Sequence, residues 1–101
     1  MTPRQKELLV RALLTNRFYP QAGEYASIKA MQRRGWTTEA WSIGRETVTL
    51  EGIAALEANS KPIEIFQANF RHLLLIKGQP VAEVLPGQRQ KMEKLLADTG
   101  L

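Results

Sequence analysis

Tyr25, Lys29, Gln32 and Arg33 stand at i, i+4, i+7 and i+8, a spacing that places them on one face of a helix. Ser27 lies nearby, and Arg34 adds a further cation at the same end. Arginine can grip a phosphate or a guanine edge through two nitrogens, and glutamine can do the same to adenine. Hydroxyls of serine and tyrosine bond phosphate oxygens. No acid stands between Tyr25 and Thr38, so the stretch is locally basic. The chemistry on offer is recognition of a polyanion by an exposed helix. A simpler role for Arg33 and Arg34 is pairing with the helix dipole at its C-terminal end.

Catalytic constellations are missing from the chain. His72 is the only histidine and there is no cysteine, so no zinc site can be assembled from them. His72 adjoins an apolar run and is expected to have a satisfied ring. No carboxylates stand at metal-ligand spacing. The glycines are scattered and cradle no phosphate. Ser27, Ser42 and Ser60 have no base near them in sequence. The expectation is a non-catalytic protein with no metal and no cofactor.

The 101 residues fit one domain, and 14 Lys+Arg against 10 Asp+Glu give a net charge of +4. That surplus favours a polyanionic partner. It is spread along the chain: residues 1–60 hold eight basic and six acidic side chains, residues 61–101 six and four. The longest apolar run, residues 73–76, is far short of the roughly 20 a membrane span needs. The opening TPRQKELL carries charge where a signal peptide would be apolar. A cytoplasmic location without membrane attachment is therefore expected.

The elements that must position the basic face follow from caps and periodicity. Thr2, Pro3 and Gln5 start a helix over residues 3–15 with a capping box, and Leu9, Ala12, Leu13 and Leu14 form its apolar stripe. Pro20 and Gly23 limit the connector, residues 16–23, to one helical turn, with Phe18 and Tyr19 packed inward. Helix 24–34 follows, with Ile28, Ala30 and Met31 inward, Gly35 as its stop and Trp36 closing its end. Residues 37–43 and 46–49 alternate and are rich in β-formers, so a hairpin turning at Gly44-Arg45 is expected. Thr49 caps a helix from Leu50 to Ala58 whose stripe is Ile53, Ala55 and Leu56.

Beyond Pro62 two readings compete. Ile63, Phe66, Phe70, Leu73 and Leu74 fit helix spacing. The favoured reading is a short helix over 62–69 and then a β-hairpin turning at Lys77-Gly78-Gln79; the rival is one helix ending at Lys77. Residues 88–98 read as a last amphipathic helix with Met92, Leu95 and Leu96 inward.

Two stretches carry a resemblance. Residues 28–36, IKAMQRRGW, look like the end of a recognition helix, and residues 48–56, VTLEGIAAL, look like a second wing strand entering a Thr-capped helix. In that order and spacing they resemble a winged helix-turn-helix domain of the small bacterial or phage type, over residues 3–58. The family's middle helix is shrunken or absent here. The resemblance implies an α+β fold: a winged-helix-like core over 1–59 and a hairpin-plus-helix extension over 60–101, within a single domain 1–101. It implies a regulator of phage or prophage character, in a bacterial or phage-infected cell. Such a protein would bind double-stranded DNA through Tyr25, Ser27, Lys29, Gln32 and Arg33, with Arg45 at the wing tip.

The same scaffold suits a protein-binding factor, an inhibitor or assembly adaptor derived from a phage or mobile element. The apolar C-terminal part favours that reading. Leu73, Leu75, Val81 and Val84 would pack the hairpin onto the module or onto a second copy, and Trp41 is either core or an interface anchor. A homodimer would serve either function.

Overall fold

The computed structural model describes residues 1–15, 17–39, 42–68 and 71–98. Trp41 and Phe70 lie outside them. Among the described residues the fold is α+β, with four helices and a three-stranded antiparallel sheet. The order is α1 (Pro3–Leu14), α2 (Tyr25–Arg33), α3 (Leu50–Ala58), β1 (Ile63–Ala68), β2 (Arg71–Ile76), β3 (Gln79–Val84) and α4 (Arg89–Asp98).

Helix α1 begins at the capping box read from the sequence. The Gln5 amide donates to Thr2 Oγ1 at 3.1 Å, and the Thr2 amide donates to Gln5 Oε1 at 2.9 Å. Leu8, Leu9, Val10, Ala12 and Leu13 are buried along α1, which packs against α2, α3, β1 and β3. One cluster joins these residues to Ile28 and Met31 of α2, Ile43, Leu56 of α3, Ala68, Leu73 and Leu75. Both halves of the chain therefore feed the same core.

Two local expectations hold further along. Thr49 caps α3, its Oγ1 accepting from the Gly52 amide at 3.1 Å. The β2–β3 hairpin turns at Lys77 and Gly78, whose φ of 53° and 83° give the left-handed pair that a two-residue I′ turn needs.

The wing hairpin expected at Gly44-Arg45 is replaced by a 3-10 turn over Arg45–Thr47. Gly44 has φ −160°, extended backbone, whereas the first central residue of a two-residue hairpin turn needs positive φ. Thr47 takes over the local hydrogen bonding, its Oγ1 accepting from the Gly44 amide at 3.0 Å. Among the described residues the flanking segments make isolated bridges, Thr37 with Val48 and Ile43 with Phe18. The Phe18 bridge turns alternate side chains to opposite sides. Phe18 packs on the core, while Tyr19, also expected inward, is 76% exposed.

The short helix expected over 62–69 is strand β1, and the single-helix alternative is excluded with it. Ile63, Phe66, Leu73 and Leu74 fit helix spacing only by coincidence. Strand β2 is the middle strand, apolar on both faces, and pairs with β1 in unbroken register from Ile63↔Ile76 to Ala68↔Arg71. Directly paired residues share a face. Phe66, Ala68, Leu73 and Leu75 therefore turn toward α1, while Ile63, Ile65, Leu74 and His72 turn outward under α4. That helix buries no residue fully. Met92 and Leu96 are half-buried, but Leu95, expected inward, is exposed because a single stripe of α4 meets the sheet. No helix among the described residues is long and apolar enough to cross a membrane.

Candidate nucleic-acid interface

The basic face depends on how α2 is held at its two ends. The connector before it contains one 3-10 turn, Ala22–Glu24, that runs straight into the helix. Glu24 is the pin. One carboxylate oxygen accepts from the Gln21 amide at 2.8 Å, and the other meets Arg11 Nη1 at 2.9 Å and Arg4 Nη1 at 3.6 Å. Glu24 is only 4% exposed, so α2 is fixed to α1 by a largely buried charge contact. Arg11 also lies over the Phe18 ring, 4.4 Å from its centroid.

At the other end the Arg-Gly-Trp sequence forms a Schellman cap. Gly35 adopts φ 76°, its amide donates to Gln32 O at 3.0 Å, and the Trp36 amide donates to Met31 O at 3.0 Å. Trp36 packs partly against the core, and Arg34 lies over its ring at 5.2 Å. That stacking gives Arg34 a structural role.

Between these ends α2 turns Ile28 and Met31 inward, with Ala30 half-buried. Tyr25, Lys29 and Arg33 are exposed, while Ser27 and Gln32 are half-buried. The expected face is thus assembled with Tyr25, Lys29 and Arg33 at its front. Among the described residues neither Lys29 nor Arg33 has a hydrogen-bond or ion-pair partner. Lys61, Lys77, Lys91 and Lys94 are likewise unpaired among the described residues, whereas several other cations are engaged. Lys6 pairs with Glu64, Arg17 with Glu46, Arg71 with Glu83 and Arg89 with Glu93. Lys29 and Arg33 differ from the other open cations in sharing one helix face.

Arg45 does not belong to this face. Its Nη2 and Nε lie 2.9 and 3.2 Å from the Leu13 carbonyl oxygen. The last turn of α1 leaves carbonyls without helical partners, and a cation there also suits the helix dipole. The residue expected at a wing tip is a C-terminal clamp on α1. Glu46 beside it is held below the usual carboxylate range, first by a backbone hydrogen bond and then by Arg17.

The expected interface residues are also redistributed. Leu73 and Leu75 are fully buried in the protein's own core, and Val84 is 5% exposed beneath the start of α4. They cannot meet a partner without unfolding the sheet. Val81 alone of the hairpin set is open, at 55%. Trp41 lies outside the described residues.

His72 Nδ1 is 2.7 Å from Arg89 Nη1. A guanidinium only donates, so that ring nitrogen accepts and the proton of the neutral ring sits on Nε2. Among the described residues no group of three or more His, Asp and Glu is placed to hold a metal. The crevice under Gln32, lined by Thr37, Ser42 and Thr47, has room for about one water. Sequence reasoning missed the pinning role of Glu24, which its place three residues after Gln21 could have suggested as a local carboxylate cap. Compared with protein-family models, curated proteins and solved structures, the chain matches none.

Proposed function

We propose that the protein is a non-catalytic DNA-binding regulator of winged-helix type over its first 59 residues, acting through α2. The observation that carries the proposal is the exposed pair Lys29 and Arg33, two cations four residues apart on one helix face, with no side-chain partner among the described residues. Tyr25 and the half-buried Gln32 extend the face. An α-helix fits the major groove, where Arg33 and Gln32 would reach base edges and Lys29 a phosphate. With Arg45 engaged by the Leu13 carbonyl, phosphate contacts supply most of the affinity, so binding is salt-dependent and weakly selective.

Fluorescence anisotropy with a generic duplex at two salt concentrations tests this. The native chain should bind at low salt, and the double variant Lys29→Ala/Arg33→Glu should lose most of that binding. Arg45→Ala should leave the affinity unchanged while lowering stability by about 1 kcal/mol, because it removes only the clamp on Leu13. The reading fails if the native chain does not bind, or if the double variant binds as well as the native chain.

A second reading, a small protein-binding factor, rests on Val81 and Leu85, which are 55% and 60% exposed at the end of the sheet. A pull-down that returns one protein and no nucleic acid would favour it.

A further inference from the structure

The sheet has two edges, and they are built differently. The β3 edge carries Pro80, which has no amide proton, and the register slips between Leu74 and Leu75. Both features discourage pairing with another strand. Strand β1 has neither, and its register with β2 is unbroken. An open groove of about 270 Å³ runs beside it, lined by Lys61, Ile63, Glu64 and Ile65 on one wall and Glu93, Leu96 and Ala97 of α4 on the other. Consecutive strand residues point to opposite faces. A groove touching three in a row therefore follows the strand edge rather than either face.

Among the described residues, the outward backbone groups of Ile63 and Ile65 bond to no other segment. The Lys77 amide donates to the Pro62 carbonyl at 2.9 Å, which marks 62 and 77 as a hydrogen-bonded pair. Bonded and non-bonded pairs alternate in an antiparallel ladder. Residues 64, 66 and 68 therefore bond to β2, and the amides and carbonyls of Ile63 and Ile65 point out into the groove.

We propose that β1 pairs antiparallel with β1 of a second copy of this chain, centred on Ile65, fusing two sheets into one of six strands. Two-fold symmetry narrows the register. Opposed residues must share a face, so the axis has to fall on a residue and not between residues. An axis on Glu64 would oppose two carboxylates. An axis on Ile65 sets Ile65 against Ile65 of the second copy, Glu64 against Phe66 and Ile63 against Gln67. Glu64 keeps its own partner, Lys6 Nζ at 2.6 Å. The outward row Ile63 and Ile65 meets the same row of the other copy, extending the apolar surface flanked by Leu96 and Ala97. A second copy fits better than a foreign peptide because one pairing event satisfies two open edges, and because the alternation the groove accepts is that of β1 itself.

Single cysteines test the register in a chain that has none. Opposed hydrogen-bonded residues lie about 5.5 Å apart between Cα atoms, within disulfide reach. Ile65→Cys should therefore oxidise to a covalent dimer, whereas Ile63→Cys, about 13 Å from its copy, should stay a thiol. Light scattering should report a dimer for the native chain. It should report a monomer for Ile65→Pro, with circular dichroism unchanged, because the Ile65 amide takes no part in the β1–β2 ladder. Should the proline variant lose its native spectrum, Ile65→Lys decides by the same monomer readout. A monomeric native chain, equal cross-linking at 63 and 65, or a folded position-65 variant that stays dimeric would overturn the proposal.

Discussion

Replacing Gly52 with alanine should destabilise the protein by about 2 kcal/mol, although alanine is the better helix former by about 1 kcal/mol. Gly52 lies in the first turn of α3, where the helix meets the backbone leaving α2. A Cβ built there stands 2.3 Å from the Trp36 carbonyl oxygen, 3.1 Å from its carbon and 3.2 Å from Val48 Cγ1. The obstacle is main chain, so a rotamer change cannot relieve it; α3 must move by roughly an ångström. The Thr49 amide donates to that same Trp36 oxygen at 3.0 Å, and Thr49 Oγ1 donates to Gly35 O at 2.5 Å. Displacement costs about 1–3 kcal/mol in overpacking and about 1 kcal/mol for a weakened hydrogen bond, less the gain in helix propensity. Urea unfolding followed by circular dichroism should show a lower midpoint at unchanged slope, and Tm should fall by about 10 °C. Gly23→Ala is the control: its Cβ would meet nothing within 4 Å, so stability should stay within about 0.5 kcal/mol. A Gly52→Ala protein as stable as the native one would refute the close approach of α3 to Trp36.

Lys77 holds φ 53° in the hairpin turn, and Lys77→Asn should raise stability by about 0.5–1 kcal/mol in thermal melts, since Asn-Gly is favoured there. A lower Tm would contradict the assigned turn. Glu83 is held below the usual carboxylate range by the hydrogen bond from Arg71 and then by its charge. A folded-state value below the unfolded one gives stability that is present above the unfolded value and lost as pH falls through the folded one. Arg71→Ala should therefore flatten the acid limb of a stability-versus-pH curve, and an unchanged limb would remove the pair from the account.

What could be read directly from residues was whatever is settled within a few positions. Thr2 with Gln5, Thr49 with Gly52, and Gly35 before Trp36 each satisfy backbone groups of their own helix end, so caps placed α1, α2 and α3 within a residue or so. Lys77-Gly78 between apolar runs marked the β2–β3 turn for the same reason. The basic face of α2 was equally legible, because helix spacing alone brings Tyr25, Lys29 and Arg33 to one side. Gly44-Arg45 misled because a glycine signals a turn without stating its φ, and the neighbouring Thr47 closes a different one.

Other features depended on partners distant in sequence. Residues 63–74 carry apolar side chains at both helical and strand spacing, and only the pairing of β1 with β2 selected between them. Whether a cation is free or engaged depends on which carboxylate or carbonyl folding brings alongside it. That is why Arg45 belongs to the Leu13 carbonyl, while Lys29 and Arg33 remain open. Leu73 and Val81 are alike in composition but opposite in fate, since α1 covers the inner face of the sheet and nothing described covers Val81. Helix ends, the β2–β3 turn and the makeup of the α2 face were legible in the residues, because short-range hydrogen bonds and periodicity act along the chain. Strand β1, the 3-10 turn at Arg45–Thr47 and the partner of each engaged cation emerged only on folding, because they depend on contacts across it.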